Sequence, residues 1–286
     1  MYAIAGVSGH TGSVAAETLL AQGKQIRVIV RDAAKGEAWK AKGAEVAIAS
    51  LDDSAALAKA FAGTEGAYVL LPPAPTSTDP VGHNARTTAA IAQAVKTANL
   101  PHVVLLSSVG AQHAEGTGPI KTLATAEREL AATGAAFTAV RAAYFQENWG
   151  GSLGTLESGT IYAFVPNELR YPQVSTTDVG RTVAAALVEG GKRGEKRVIE
   201  LAGPEDYDGS AVAKALSAVT GKTIQVQAAP LDAVVPTFTG FGLSKEFSEL
   251  YREMYAGLIS GLVAFEGRPV RGSVGVEKTL AKLLGR

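Results

Sequence analysis

The 286-residue chain contains no cysteine. Disulfides, thiolate metal sites and a cysteine nucleophile are thereby excluded. Neither sign of charge is in excess, because 27 basic and 27 acidic side chains cancel. A broad basic surface of the kind that tracks nucleic-acid phosphates is therefore not expected. No apolar run approaches the length needed to span a bilayer. No His or carboxylate pair has metal-site spacing, and the G-x-S-x-G elbow of a hydrolase is missing. The first strand pattern begins at residue 2, which leaves no room for a leader peptide, so a soluble cytoplasmic protein is the expectation. With 47% of its residues apolar, the chain can bury a large core.

What the sequence does have is a glycine turn at its start. Tyr2 to Val7 reads as a short apolar strand and Ser13 to Leu20 as the first turns of a helix. Between them stand Gly6, Ser8, Gly9, His10, Thr11 and Gly12, with the glycines spaced G-x-x-G-x-x-G. Backbone N–H groups and the positive end of the helix dipole converge in such a turn and suit a pyrophosphate. Gly6 permits the sharp turn, Gly9 lets the backbone approach the phosphates, and Gly12 lets the helix pack close to the strand. The second strand, Gln25 to Val30, ends at Arg31, 19 positions beyond Gly12. Many dinucleotide folds place an acid near this point to hold ribose hydroxyls. A cation here, with Lys35 close behind, favours the 2′-phosphate of NADP. The competing reading makes Asp32 the ribose ligand and Arg31 a solvated side chain.

The pattern then alternates. Strands are expected at Ala44 to Ala49, Ala67 to Leu71, Pro101 to Ser107 and Ala135 to Val140. Helices are expected at Ala55 to Phe61, capped by Asp53 or Ser54, at Val81 to Ala98 and at Ile120 to Ala132. Short connections between alternating strands and helices imply a doubly wound parallel sheet of the Rossmann type. From Gly150 the rhythm loosens through Gly151, Gly154 and Gly159. A helix from Val179 to Val188 and a strand from Arg197 to Leu201 follow, then helices and one short strand. The expected organisation is a dinucleotide-binding domain over 1–150, with 175–202 rejoining it. Residues 203–286, with a contribution from 151–174, form a smaller α/β lobe over the strand ends.

Several segments together resemble the NmrA-like branch of the atypical short-chain dehydrogenases. They are the glycine turn from Gly6 to Gly12, Val30-Arg31-Asp32, Ser107-Ser108, Lys121, the run from Arg141 to Asn148, Thr176 to Gly180, and Leu201 to Pro204. The resemblance covers essentially the whole chain. That branch includes NADPH-dependent quinone and dye reductases as well as cofactor-sensing regulators. It implies an NADP(H) site at Gly6, Ser8, Gly9, His10, Thr11, Gly12, Arg31 and Lys35. Ser50 and Leu51 would meet adenine, where the family often has Gly-Asp. Leu71 and Pro72 would run beside the ribose and nicotinamide. Ordinary short-chain dehydrogenases carry a Tyr four residues before the catalytic Lys, and here that residue is Thr117. An aliphatic hydroxyl is far too weak an acid to replace a phenol of pKa about 10.

The expected chemistry is hydride transfer from NADPH to a quinone or similar conjugated acceptor. Lys121 and Ser107 would hold the nucleotide. Lys121, Ser108 and Tyr144 would supply hydrogen-bond donors, with His113 a second candidate for the proton. Pro73, His83, Tyr144, Phe145 and Asn148 would border the acceptor, and Trp149 either joins that aromatic group or packs in the core. The alternative is a redox sensor that binds NADP(H) with little or no catalysis. A sugar-nucleotide epimerase shares the fold but is disfavoured by the missing Tyr. The chain is expected to act as a monomer or homodimer, without metal, nucleic acid or membrane.

Overall fold

The computed structural model describes residues 1–286. Its main sheet has eight strands: β1 (Tyr2–Ile4), β2 (Ile26–Val30), β3 (Glu45–Ile48), β4 (Gly66–Val69), β5 (His102–Ser108), β6 (Ala136–Ala142), β10 (Lys196–Ala202) and β13 (Val270–Arg271). Their order is β13-β10-β6-β5-β4-β1-β2-β3, and every pairing is parallel. Two small sheets complete the strands. One contains β7 (Tyr144–Phe145), β9 (Tyr171–Val174) and β11 (Asp206–Tyr207), and the other β8 (Thr160–Ala163) and β12 (Gln225–Ala228).

The helices are α1 (His10–Ala21), α2 (Glu37–Ala41), α3 (Ser54–Phe61), α4 (Pro80–Thr97), α5 (Lys121–Ala131) and α6 (Thr176–Glu189), then α7 (Gly209–Thr220), α8 (Val234–Gly240), α9 (Lys245–Ser260) and α10 (Val276–Leu283). Half of them start where a short polar side chain caps the first turn. Asp53 caps α3, Asp79 caps α4, Ser175 caps α6, Asp208 caps α7 and Ser244 caps α9. No helix is long and apolar enough to cross a membrane.

Strand alternation divides the core between the two faces of the sheet. Ile4, Val28, Tyr68 and Val140 face α1 and α6 with Leu19, Val183 and Leu187. Ala3, Ala5, Val69 and Leu105 face the other way, onto Leu57, Phe61, Ile91 and Leu130 of α3, α4 and α5. A third cluster gathers around Ile161, Tyr171, Leu216, Met254 and Leu280. The doubly wound parallel sheet read from the alternation is the architecture found.

Some boundaries differ from the sequence reading. β4 ends at Val69, so Leu70 and Leu71 lie in the loop beyond it. α1 begins at His10, inside the glycine motif. The glycine-rich stretch after Tyr144 is a run of 3-10 turns over Gln146–Ser158, because Trp149 is buried there and its indole donates to Gln173 at 2.9 Å.

Two close contacts set the position of α1. A Cβ on Gly12 would stand 2.4 Å from the Gly6 carbonyl oxygen, and one on Gly180 of α6 would stand 2.6 Å from the Val14 Cβ. Gly180→Ala is expected to lower stability by about 1–3 kcal/mol through overpacking. Gly151→Ala, where an added Cβ meets nothing within 4 Å, should stay within about 0.5 kcal/mol. Urea unfolding checks both; equal midpoints for the two variants would contradict the packing.

Candidate active site

The strand order reverses between β1 and β4, and ligands bind open α/β sheets at such a switch point, beyond the strands' C-terminal ends. A cavity of about 560 Å³ lies there. Its floor comes from the sheet: Gly6 and Gly9 after β1, Leu70, Leu71 and Pro73 after β4, Ser107 to Val109 from β5, and Ala142 to Phe145 after β6. Its roof is α9, through Phe247, Leu250, Tyr251, Met254 and Leu258.

At one end stands the N-terminus of α1. Gly9 occupies the cap position and no side chain caps it. The N–H groups of His10, Thr11 and Gly12 find no acceptor within the chain. Gly6 turns the chain there with φ +69°, a region that disfavours any side chain. A Cβ on Gly9 would meet only the Gly6 carbonyl, at 3.4 Å. These free donors at the positive helix end form an anion cradle. Thr11 is less free, since its hydroxyl is 2.8 Å from that of the fully buried Tyr68. Burial in turn pushes the Tyr68 phenol well up.

Farther along the strand ends, Arg31 and Lys35 are exposed and make no ion pair. Asp32 is engaged locally, accepting from the Ala34 N–H at 3.0 Å. The neighbouring Ser50 hydroxyl holds the Asp52 carboxyl below its usual range. Leu51 packs at the edge of the α3 core.

At the other end the walls are aromatic. Tyr144, on β7, meets Tyr171 edge-on at 5.5 Å, and its hydroxyl is 3.4 Å from that of Tyr255. Burial raises the Tyr144 pKa, and hydrogen bonds from Tyr255 and Asn148 oppose part of the shift. Tyr251 is pushed up to about 12, first by burial and then by Tyr144. Glu147 faces the same cavity but caps α6, accepting from the Thr176 N–H at 2.9 Å and its hydroxyl at 2.6 Å.

The cavity thus gathers Gly6, Gly9, His10, Thr11, Leu71, Pro73, Ser107, Ser108, Tyr144, Phe145 and Asn148. Ser8, Gly12, Arg31, Lys35, Ser50, Leu51, Pro72, His83, His113 and Lys121 do not line it. The Lys121 ammonium instead donates to Glu253 of α9 at 3.1 Å. Thr117 is fully buried, and its hydroxyl is sealed off without a partner. The two serines also turn their protons inward. Ser107 donates to Glu127, and Ser108 to the Val109 carbonyl at 3.1 Å. Glu127 is in turn gripped by the buried Arg141 through bonds of 3.0 and 2.8 Å. Carboxylate bonding raises the Arg141 pKa further. The sequence reading missed Asn84, Thr122 and the whole α9 wall, although Phe247, Tyr251, Met254 and Leu258 repeat at helical spacing.

A parallel sheet with an uncapped glycine-turn helix at its switch point defines a dinucleotide-binding α/β protein. The NmrA-like family profile matches residues 2–257, and the chain belongs to that family. It is 26% identical over 291 aligned residues to an NAD(P)H azoreductase of Xenophilus azovorans, covering 98% of each chain. It is equally identical to quinone oxidoreductase 2 of Escherichia coli, covering all of this chain and 94% of that one. Among solved structures, the fold is similar to a Citrobacter triphenylmethane reductase complexed with NADP(H), with TM-score 0.83, 20% identity, and 99% of this chain and 100% of that one covered. It is also similar to the NADPH complex of the Escherichia coli quinone oxidoreductase, with TM-score 0.77, 22% identity, and 99% of this chain and 100% of that one covered.

The buried phenols carry a pH consequence. Tyr251 ionises near 12 when folded and near 10 when unfolded. The unfolded chain therefore loses protons first, and stability falls as pH rises from about 10 towards 12. Urea midpoints should be flat between about pH 7 and 9 and drop above about 10. A midpoint that held steady to pH 12 would contradict the desolvation of these phenols.

Proposed function

We propose that this chain is an NADPH-dependent reductase that delivers hydride to a quinone or similar conjugated acceptor. The observation that carries the reading is one continuous cavity joining the uncapped N-terminus of α1 to the phenol of Tyr144. Relatives named as azo and quinone reductases support it. A redox sensor needs the first end of that cavity but not the second.

The residues present fit the nucleotide. The free N–H groups of His10, Thr11 and Gly12 would take the pyrophosphate, with Gly9 leaving room for it. Arg31, without an internal partner, would grip the 2′-phosphate, supported by Lys35. Asp32 already serves its own turn. Ser50, Leu51 and Pro72 do not line the cavity itself, and their part in holding the nucleotide would be at its rim. Ser107 and Ser108, with their protons directed elsewhere, would accept from a carboxamide N–H rather than donate. When bound, NADPH supplies the hydride.

The chain's own task at the acceptor is then positioning and charge stabilisation. Apolar Leu70, Leu71 and Pro73, with the apolar side chains of α9, would exclude water and hold a flat ring. Tyr144 stays protonated at neutral pH because burial raises its pKa, so its hydroxyl can donate to an acceptor oxygen. Asn148 offers a second donor beside it. Lys121 steadies the roof through Glu253 and would act on the nucleotide only by leaving that partner.

The direct test is NADPH oxidation at 340 nm with simple quinones; no turnover across a panel would overturn the reading. Binding adds a sharper check. Loss of a charged phosphate contact in Arg31→Ala should weaken NADPH binding about 10–100-fold while leaving NADH within about twofold. Calorimetry measures both, and equal losses for the two coenzymes would remove Arg31 from the phosphate site.

A further inference from the structure

Tyr251 is a phenol on the cavity wall that no sequence motif marks. It stands on α9, and its ring is wedged by Phe247 at 4.9 Å, Phe238 at 5.3 Å and Tyr255 at 6.5 Å between centroids. Four rings held this way fix the direction of the hydroxyl. That hydroxyl forms no hydrogen bond with any group of the chain, in contrast to Tyr144 and Tyr255, which face each other. It is also absent from the sealed polar atoms, such as those of Asn84, Thr88 and Thr117. The side chain therefore offers a fixed, reachable donor to the cavity. A largely buried phenol ordinarily finds a partner, and a molecule filling the cavity that Tyr251 lines would supply one.

We propose that Tyr251 is a further catalytic residue, whose hydroxyl donates to an oxygen of the acceptor and stabilises the charge that develops there. The proposal rests on the reductase reading. Tyr144 and Tyr251 both border the cavity, so an acceptor with two oxygens meets two phenols. Its raised pKa keeps Tyr251 a donor throughout the neutral range. Its action is a hydrogen bond, with no transfer of its own proton. The chemistry follows the oxygen: a quinone gains negative charge on oxygen as it takes hydride, whereas a carbocation such as N-methylacridinium takes hydride at carbon and becomes neutral. Only the first needs the donor.

Tyr251→Phe removes the oxygen and keeps the ring, so no internal hydrogen bond is lost and the melting temperature should hold. The variant is compared with the unaltered protein using 1,4-naphthoquinone and N-methylacridinium. The absence of cysteine leaves no thiol for the quinone to alkylate. Expected is a fall in kcat/KM of about 10–100-fold for the quinone, with the acridinium, as substrate or as competitor, within about twofold. Calorimetry without nucleotide should show naphthoquinone binding about 3–10-fold weaker and NADPH binding unchanged. Equal losses for both acceptors, a loss confined to NADPH affinity, or quinone kinetics that do not move would each overturn the role of Tyr251. An unaltered protein that reduces neither acceptor would instead overturn the reductase reading.

Discussion

The contact on which the structure depends is the one between the start of α1 and the turn that follows β1. Gly12 sits where any side chain would strike the Gly6 carbonyl. This lets α1 begin directly against the strand end, with its first N–H groups aimed past the sheet. A second glycine, Gly180, brings α6 equally close to α1. The first turn of α6 is held by Glu147, one residue before Asn148 and three after Tyr144. The glycine-turn end and the Tyr144 end of the cavity are thereby built on one pair of packed helices. A displacement of α1 would move both.

The C-terminal elements are fastened to this frame at points far apart in sequence. Ser244 donates its N–H to the Pro75 carbonyl at 2.8 Å and its hydroxyl to Ser77 at 2.6 Å. Asp178 of α6 accepts from the Ser273 and Val274 N–H groups at 2.9 and 2.8 Å. Lys121 and Glu253 join α5 to α9. Gly118 carries no side chain because one would stand 2.0 Å from the Leu250 carbonyl oxygen. These ties press the aromatic face of α9 onto the strand ends, and the hydroxyl that remains unengaged, that of Tyr251, lies on that face rather than on the serines of β5.

The sheet half was legible because its signals are local. The glycine triplet, the apolar strands and the cap at Asp53 each act within a few residues, and the structure realises them within a residue or three. Strand ends were less so: Leu70 and Leu71 look like strand but extend past the last paired residue, which is what lets them face the cavity. The aromatic wall of the cavity was poorly legible. Tyr144, Phe145 and Asn148 follow a strand and could be placed, whereas Tyr251 belongs to a helix whose apolar face looks like ordinary core. Nothing in its spacing says that the core it meets is a cavity. Lys121 shows the converse limit, since a charge at a helix start gives no sign of a partner 132 positions away.

The central claim is that the uncapped turn at His10, Thr11 and Gly12 receives the nucleotide's phosphates. Backbone amide resonances of the labelled protein, followed during titration with NADPH, address it directly. The account predicts large shifts and slowed exchange at these three N–H groups, saturating with the nucleotide. Saturable binding that left all three amides unmoved would contradict it.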